Sequence, residues 1–277
     1  MAPAQRRSNV RNSDATRSSV DAREVEKFAA LAGEWWNPDG KFAPLHRLNP
    51  ARLAFIRNAA LRHFGRDAKA LAPFSGLTLL DVGCGGGLVS EAMARQGFDV
   101  LGIDAAEENV AAAAAHARET AAAPSYRCAA AEELVPEGTS FDVVLALEIL
   151  EHVADRNEFL ETCAQLLKPG GLMVLATLNR TLKSLALAKI GAEYILRWLP
   201  PGTHDWNKFV APHVLSSGLR DLGLATIETR GVTFDPLAWS WQLSSDTGVN
   251  YMIAAAKAIP LRQRHYPSYN QNGMPQS

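Results

Sequence analysis

The chain has little cysteine. Its 277 residues hold Cys84, Cys128 and Cys163, scattered and without a C-x-x-C pair. That pattern excludes a disulfide framework and fits a reducing compartment. Long apolar runs are also missing: no continuous stretch reaches the roughly 18 residues of a membrane-spanning helix. No signal-peptide apolar region is present, so secretion is not expected. Charge of one sign is absent as well, with Lys+Arg 28 against Asp+Glu 29 and a net charge of -1. Such a balance argues against binding nucleic acid over the whole surface and leaves room only for a local patch. No internal repeat is evident. Apolar residues are plentiful, at 47% against 21% charged. That is enough for one large α/β domain, or for a domain with appendages.

A further absence bears on the ligand class. Leu77-Thr-Leu-Leu reads as a buried strand ending at Asp81-Val82, followed by Gly83-Cys84-Gly85-Gly86-Gly87 and a helical pattern from Leu88 to Arg95. A second apolar strand, Val100–Ile103, ends on Asp104. Strand, glycine turn, helix, strand and acid make a nucleotide-binding βαβ unit. A dinucleotide site wants G-x-G-x-x-G, and here its last position is Leu88. With no pyrophosphate to cradle, the turn suits an amino-acid carboxylate and a ribose, whose hydroxyls Asp104 can accept. The stretch resembles the glycine motif of Rossmann-like S-adenosylmethionine methyltransferases.

The rest of the chain supplies a doubly wound α/β fold. Residues 1–19 carry Arg6, Arg7, Arg11 and Arg17 among Ser and Asn, and read as a disordered tail. Ser19 can cap a helix from Val20 to Glu34, and Pro50 can open another from Ala51 to Phe64. Between them Phe42–Pro50 reads as irregular, and residues 20–65 together form a helical lid. Then come a helix at Ala106–Thr120, a strand at Ser125–Cys128 and a central strand at Phe141–Ala146. A helix at Asn157–Leu167, a strand at Leu172–Thr177 and a helix at Ala211–Leu222 follow. Strands at Ala225–Gly231 and Val249–Ala255 close the domain near residue 258, and 259–277 is a second disordered tail. The expected architecture is a seven-stranded, mostly parallel sheet with helices on both faces and ligands at the carboxyl ends of the strands. Gly83, Asp104, Glu132, Leu147 and Thr177 fall there. Near Glu132 an adenine edge can meet backbone donors.

Two further segments carry chemistry. Glu148, Glu151 and His152 are spaced i, i+3, i+4, which places them on one face if the segment turns helically. Beside a cofactor cleft they are candidate catalytic residues and candidate ligands for Mg²⁺ or a similar divalent cation. From spacing alone a solvated acidic turn is an equal reading. A phenol has a pKa of about 10, and a bound cation lowers it and orients the oxygen. His152 can instead act as general base. Leu182–Leu199 places Lys189, Glu193 and Arg197 along one polar stripe of an otherwise apolar helix within an insertion at residues 180–210. Such a helix can lie on a membrane surface or serve as a lid.

Phe42-Ala-Pro-Leu-His-Arg-Leu-Asn-Pro50, LDVGCGGG, Glu148-x-x-Glu151-His152, Ala176-Thr-Leu-Asn-Arg180, GAEYILR at Gly191–Arg197 and Gly202-Thr-His204-Asp205 recur in this order. Together they resemble the ubiquinone-biosynthesis O-methyltransferases over about Glu24 to Lys257. The resemblance implies S-adenosylmethionine-dependent O-methylation of polyprenylated catechols at both O-methylation steps, through a metal-held catecholate. It implies co-substrate contacts at Arg52, Gly83, Asp104 and Leu147, and metal ligation by Glu148, Glu151 and His152. Family members often carry methionine where Leu147 stands. His204 and Asp205 match a motif whose role is not assigned. The implied partners are a polyprenylated phenol or quinol, the membrane surface through Leu182–Leu199 and other quinone-biosynthesis enzymes, with no nucleic acid. The implied location is the cytoplasm of a bacterium, peripherally on the membrane, ahead of a mitochondrial matrix face. Competing readings are a different small-molecule O-methyltransferase, a non-catalytic prenyl-quinone-binding subunit, and a NAD dehydrogenase, which Leu88 disfavours.

Overall fold

The computed structural model describes residues 19–120, 124–184, 208–235, 237 and 240–259. The sequence's two tails, His204, Asp205 and nearly all of the amphipathic stretch lie outside the described residues. Five strands run parallel: β1 (Thr78–Val82), β2 (Asp99–Asp104), β3 (Ser125–Cys128), β4 (Phe141–Leu147) and β5 (Leu167–Leu178). β6 (Leu224–Asp235), β7 (Ser240–Ser244) and β8 (Asn250–Lys257) complete the sheet. Its order is β3-β2-β1-β4-β5-β8-β6-β7, with β8 antiparallel to both β5 and β6.

β4 shows why the sheet is central. Val143 and Leu145 pack into the core on one face, while Val144 and Ala146 pack into the core on the other. All four are buried, as a strand covered on both sides requires. On one face lie α2 (Ala43–Phe64), through Phe55, Ile56 and Ala59, and α3 (Leu88–Ala94), through Val89 and Met93. On the other lie α5 (Arg156–Gln165), through Phe159 and Leu160, and α7 (Pro212–Asp221), through Leu215 and Leu219. α4 (Glu107–Glu119) packs on β2 and β3. A short turn, α6 (Leu182–Ser184), follows β5.

Eight strands are present among the described residues where seven are expected. The additional one is β7, whose Trp241 and Leu243 lean on the core from an edge. Its five residues include three polar ones, so its alternation is too short to stand out in the sequence. The first helix is also shorter than expected. α1 (Ala22–Ala29) is capped by the Asp21 carboxylate rather than by Ser19, and a separate 3₁₀ turn covers Ala32–Glu34. The irregular stretch expected at Phe42–Pro50 is helical instead, and α2 runs through Pro50. An interior proline costs about 3 kcal/mol. Burial of Leu48, Ala51, Phe55 and Ile56 along one stripe offsets that cost. α2 is thereby layered on the sheet, and only the segment before it arches over the carboxyl end of β1.

Candidate active site

The glycine turn hangs from the end of β2. The N–H groups of Gly83 and Cys84 both donate to the Ile103 carbonyl, at 2.8 and 2.9 Å. Gly85 has φ +53° and donates its N–H to Asp104 Oδ2 at 3.0 Å. Asp104 Oδ1 accepts from the Ala106 N–H (2.9 Å) and from Asn109 Nδ2 (3.1 Å). Burial raises the Asp104 pKa, and these three donors oppose the shift. At the end of β1, Asp81 is almost wholly buried and accepts from Ser90 Oγ at 2.6 Å. Burial pushes its pKa to about 6, against the pull of Ser90 and Arg52.

The segment before α2 packs on this turn through two tryptophans. A Cβ added at Gly85 or Gly86 would run into the Trp35 ring, so these positions must be bare for the indole to dock. Trp35 Nε1 donates to Asn109 Oδ1 at 2.8 Å, and its ring stacks on Phe42 with centroids 3.8 Å apart. Trp36 Nε1 donates to the Gly86 carbonyl at 2.8 Å, and its ring stacks on His116. Asn109 therefore links the Asp104 carboxylate to the lid.

The acidic cluster departs from its expected geometry. The segment after β4 is a series of turns rather than a helix. Glu148 sits at φ +48°, a strained backbone for a residue with a side chain. The three side chains go to three partners instead of sharing a helical face. Glu148 pairs with the Arg52 guanidinium through Oε2. Glu151 Oε2 accepts from Thr177 Oγ1 at 2.9 Å, while its Oε1 is buried with no hydrogen-bond partner among the described residues. His152 Nδ1 lies 2.8 Å from Glu24 Oε2 on α1, and this hydrogen bond lowers the Glu24 pKa. Burial raises Glu148 to about 7, Arg52 opposing and Glu151 adding to the rise.

One cavity of about 240 Å³ joins these parts. Arg52, Gly83, Asp104, Glu132, Leu147, Glu148, Glu151 and His152 all line it, so every site residue expected from the sequence is brought together. Glu132 uses Oε1 to accept the Ser19 N–H at 3.0 Å and holds Oε2 buried with no hydrogen-bond partner among the described residues. Leu147 is half-buried at the end of β4. Asp21, Glu24 and Asp81 also face the cavity, with Arg52 the single arginine or lysine among its described lining residues. A site so acidic is complementary to a cationic ligand.

Residues 80–175 match the methyltransferase domain family. A ubiquinone biosynthesis O-methyltransferase of Caulobacter vibrioides is 59% identical over 240 residues, covering 86% of this chain and 95% of that protein. One from Chelativorans sp. is 54% identical over 244 residues, covering 88% and 96%. The chain belongs to the ubiquinone biosynthesis O-methyltransferases. It is an S-adenosylmethionine-dependent O-methyltransferase. Among solved structures, this methyltransferase shares its fold with magnesium protoporphyrin IX methyltransferase from Synechocystis PCC 6803 with bound SAH. The TM-score is 0.57 at 21% identity, over 84% of this chain and 94% of that one.

Four residues of the methyltransferase's cavity escape a reading by motif. Asp81 lies inside LDVG but reads as the end of a strand. Asn109 sits in an alanine-rich helix. Trp35 reads as a helix end, although two adjacent tryptophans beside a polar loop were a usable signal. Glu24 has no local signal, since its partner lies 128 residues away.

Proposed function

We propose that the methyl acceptor is a polyprenylated catechol or demethylated quinol, that one site serves both O-methylations of the pathway, and that Glu148, Glu151 and His152 hold a divalent cation. The observation carrying the metal assignment is the pair of cavity-facing carboxylates beside Leu147. Glu151 Oε1 lacks a hydrogen-bond partner among the described residues, and the Glu148 pKa is raised despite Arg52. Their donor chemistry fits a hard cation. When bound, such a cation lowers the pKa of a phenolic hydroxyl.

The chain's own residues supply the rest. Asp104, with Gly85 on its Oδ2, receives the ribose end of S-adenosylmethionine, and Gly83 lets the backbone approach it closely. The acidic wall favours the sulfonium and the ammonium. The lid excludes water above the turn. In the transfer, the sulfonium–methyl bond breaks as the acceptor oxygen–methyl bond forms in line, the phenolic proton passes to His152 or to solvent, and the bonding pair left on sulfur makes S-adenosylhomocysteine a neutral thioether. This is largely a positioning task.

A second reading has its own support. Among the described residues no three such side chains converge at metal-ligand distances. His152, carrying Glu24 on Nδ1, then takes the phenolic proton as general base. Labelled S-adenosylmethionine and a short-chain prenyl catechol separate the readings. Transfer that stops with chelator and returns with Mg²⁺ supports the cation, whereas transfer that survives chelation supports His152 alone. No transfer under either condition rejects this acceptor class. Glu148→Gln, which still offers Arg52 an acceptor, should cut turnover at least tenfold while S-adenosylmethionine affinity is nearly kept. Equal losses of both would make Glu148 a structural partner of Arg52.

The apolar and basic pattern of Leu182–Leu199 supports a peripheral membrane contact, and no helix among the described residues is long and apolar enough to cross a membrane. Ile195→Glu should weaken sedimentation with anionic liposomes. Unchanged sedimentation would leave the stretch without a lipid role.

A further inference from the structure

Glu24 and Phe28 stand four residues apart on α1 and so share one face of that helix. Both meet His152. Glu24 Oε2 lies 2.8 Å from Nδ1, and the Phe28 ring meets the imidazole edge-on, with centroids 5.1 Å apart and planes at 83°. The His152 side chain is 14% exposed, so its ring has little freedom once these two contacts form. Lys27 Nζ also lies 3.6 Å from Glu24 Oε2.

α1 is anchored at both ends by groups of the co-substrate cavity. Before it, the Ser19 N–H donates to Glu132 and the Ser19 carbonyl accepts from the Ala154 N–H at 2.7 Å. After it, Trp35 docks on the glycine turn and bonds Asn109, which in turn bonds Asp104. A lid held by these groups delivers Glu24 to a fixed place.

We infer that Glu24 is a positioning residue for the transfer. Docking of the lid helix sets its carboxylate on Nδ1 of His152, which places the ring proton on Nδ1 and makes Nε2 the lone-pair nitrogen. Cation ligation and proton abstraction both require that nitrogen. Closing the lid and completing the reaction centre are thus one event. The inference rests on the proposed action of His152 in the transfer, and holds for either of its two roles.

The test uses the full chain with Glu24→Ala, Glu24→Gln and His152→Asn. Three quantities are read: kcat on a prenyl catechol, S-adenosylmethionine affinity by calorimetry, and the ¹⁵N shifts of His152 in histidine-labelled protein, assigned by their loss in His152→Asn. Glu24→Ala should lower kcat about 10–100-fold, the range usual for the outer partner of a working histidine. Co-substrate affinity should hold, and the ¹⁵N signature should move from one tautomer toward an averaged pair. Glu24→Gln, whose amide oxygen still accepts from Nδ1, should recover part of the loss and keep the tautomer. If Glu24→Ala keeps full turnover while His152→Asn is inactive, the inference alone fails. It also fails if the ¹⁵N signature is unmoved, or if affinity falls as far as kcat, which would make Glu24 a lid-stabilising residue. Full turnover by His152→Asn would instead remove the reading beneath it.

Discussion

At the scale of single residues, the site is a set of carboxylates that burial treats differently. Asp104 has three donors, Glu148 has one arginine, Glu151 keeps an oxygen without a hydrogen-bond partner among the described residues, and Asp81 has Ser90 with Arg52 nearby. Asp81 offers the cleanest test. Its folded pKa of about 6 stands above the ordinary 3.8, because burial disfavours the charged form. The native state therefore prefers the protonated acid. Its contribution to stability is fully present below about pH 4 and is lost as pH rises through 6. Asp81→Asn keeps an acceptor for Ser90 and has no proton to lose. Between pH 4 and 7.5, urea unfolding should move in the variant's favour by about 2–3 kcal/mol relative to wild type. A difference flat with pH would mean that Asp81 stays charged in both states. All of these acids stand in the sequence as strand-end or turn residues. Their inequality does not, since it depends on donors such as Asn109 and Ser90 that reach them only after folding.

At the scale of elements, the lid and the glycine turn are two halves of one contact. Trp35→Ala removes a ring that is 9% exposed, its stack on Phe42 and its bond to Asn109. Truncating a large buried aromatic costs about 3–5 kcal/mol, here at the contact that holds the segment after α1 on the glycine turn. Limited proteolysis should therefore cut within residues 20–42 far sooner in this variant, with weaker S-adenosylmethionine binding. Gly85→Ala should produce the same pattern from the opposite side, as the new methyl displaces the indole. Loss of binding with an undisturbed lid would assign Gly85 to the ligand alone. The strands and helices were legible because β4 is unbroken apolar from Val143 to Leu147 and the glycines stand between strand and helix. α2 was not, because a proline normally ends a helix and only the packing of its buried stripe shows that this one does not.

For the whole molecule, co-substrate binding should act as a clamp between sheet and lid. A ligand that binds only the folded state adds about 2.7 kcal/mol at a hundred times its Kd. In a chain of this size that raises Tm by roughly 5–10 °C. Thermal unfolding with saturating S-adenosylmethionine should show such a rise in wild type and a smaller one in Trp35→Ala. Equal rises would separate the lid from co-substrate binding.

The βαβ unit and the class of co-substrate were determined by sequence alone. Each is written locally: a glycine turn needs its glycines in place, a buried strand needs unbroken apolar residues, and Leu88 occupies the third glycine's position. Only the tertiary structure decided how the acidic cluster is arranged. It set Glu148 on Arg52, Glu151 on Thr177 and His152 on Glu24, and it placed Trp35 over the glycines. Those pairings join residues far apart in the chain. They form because burial leaves each polar group only the partners that the fold brings within reach.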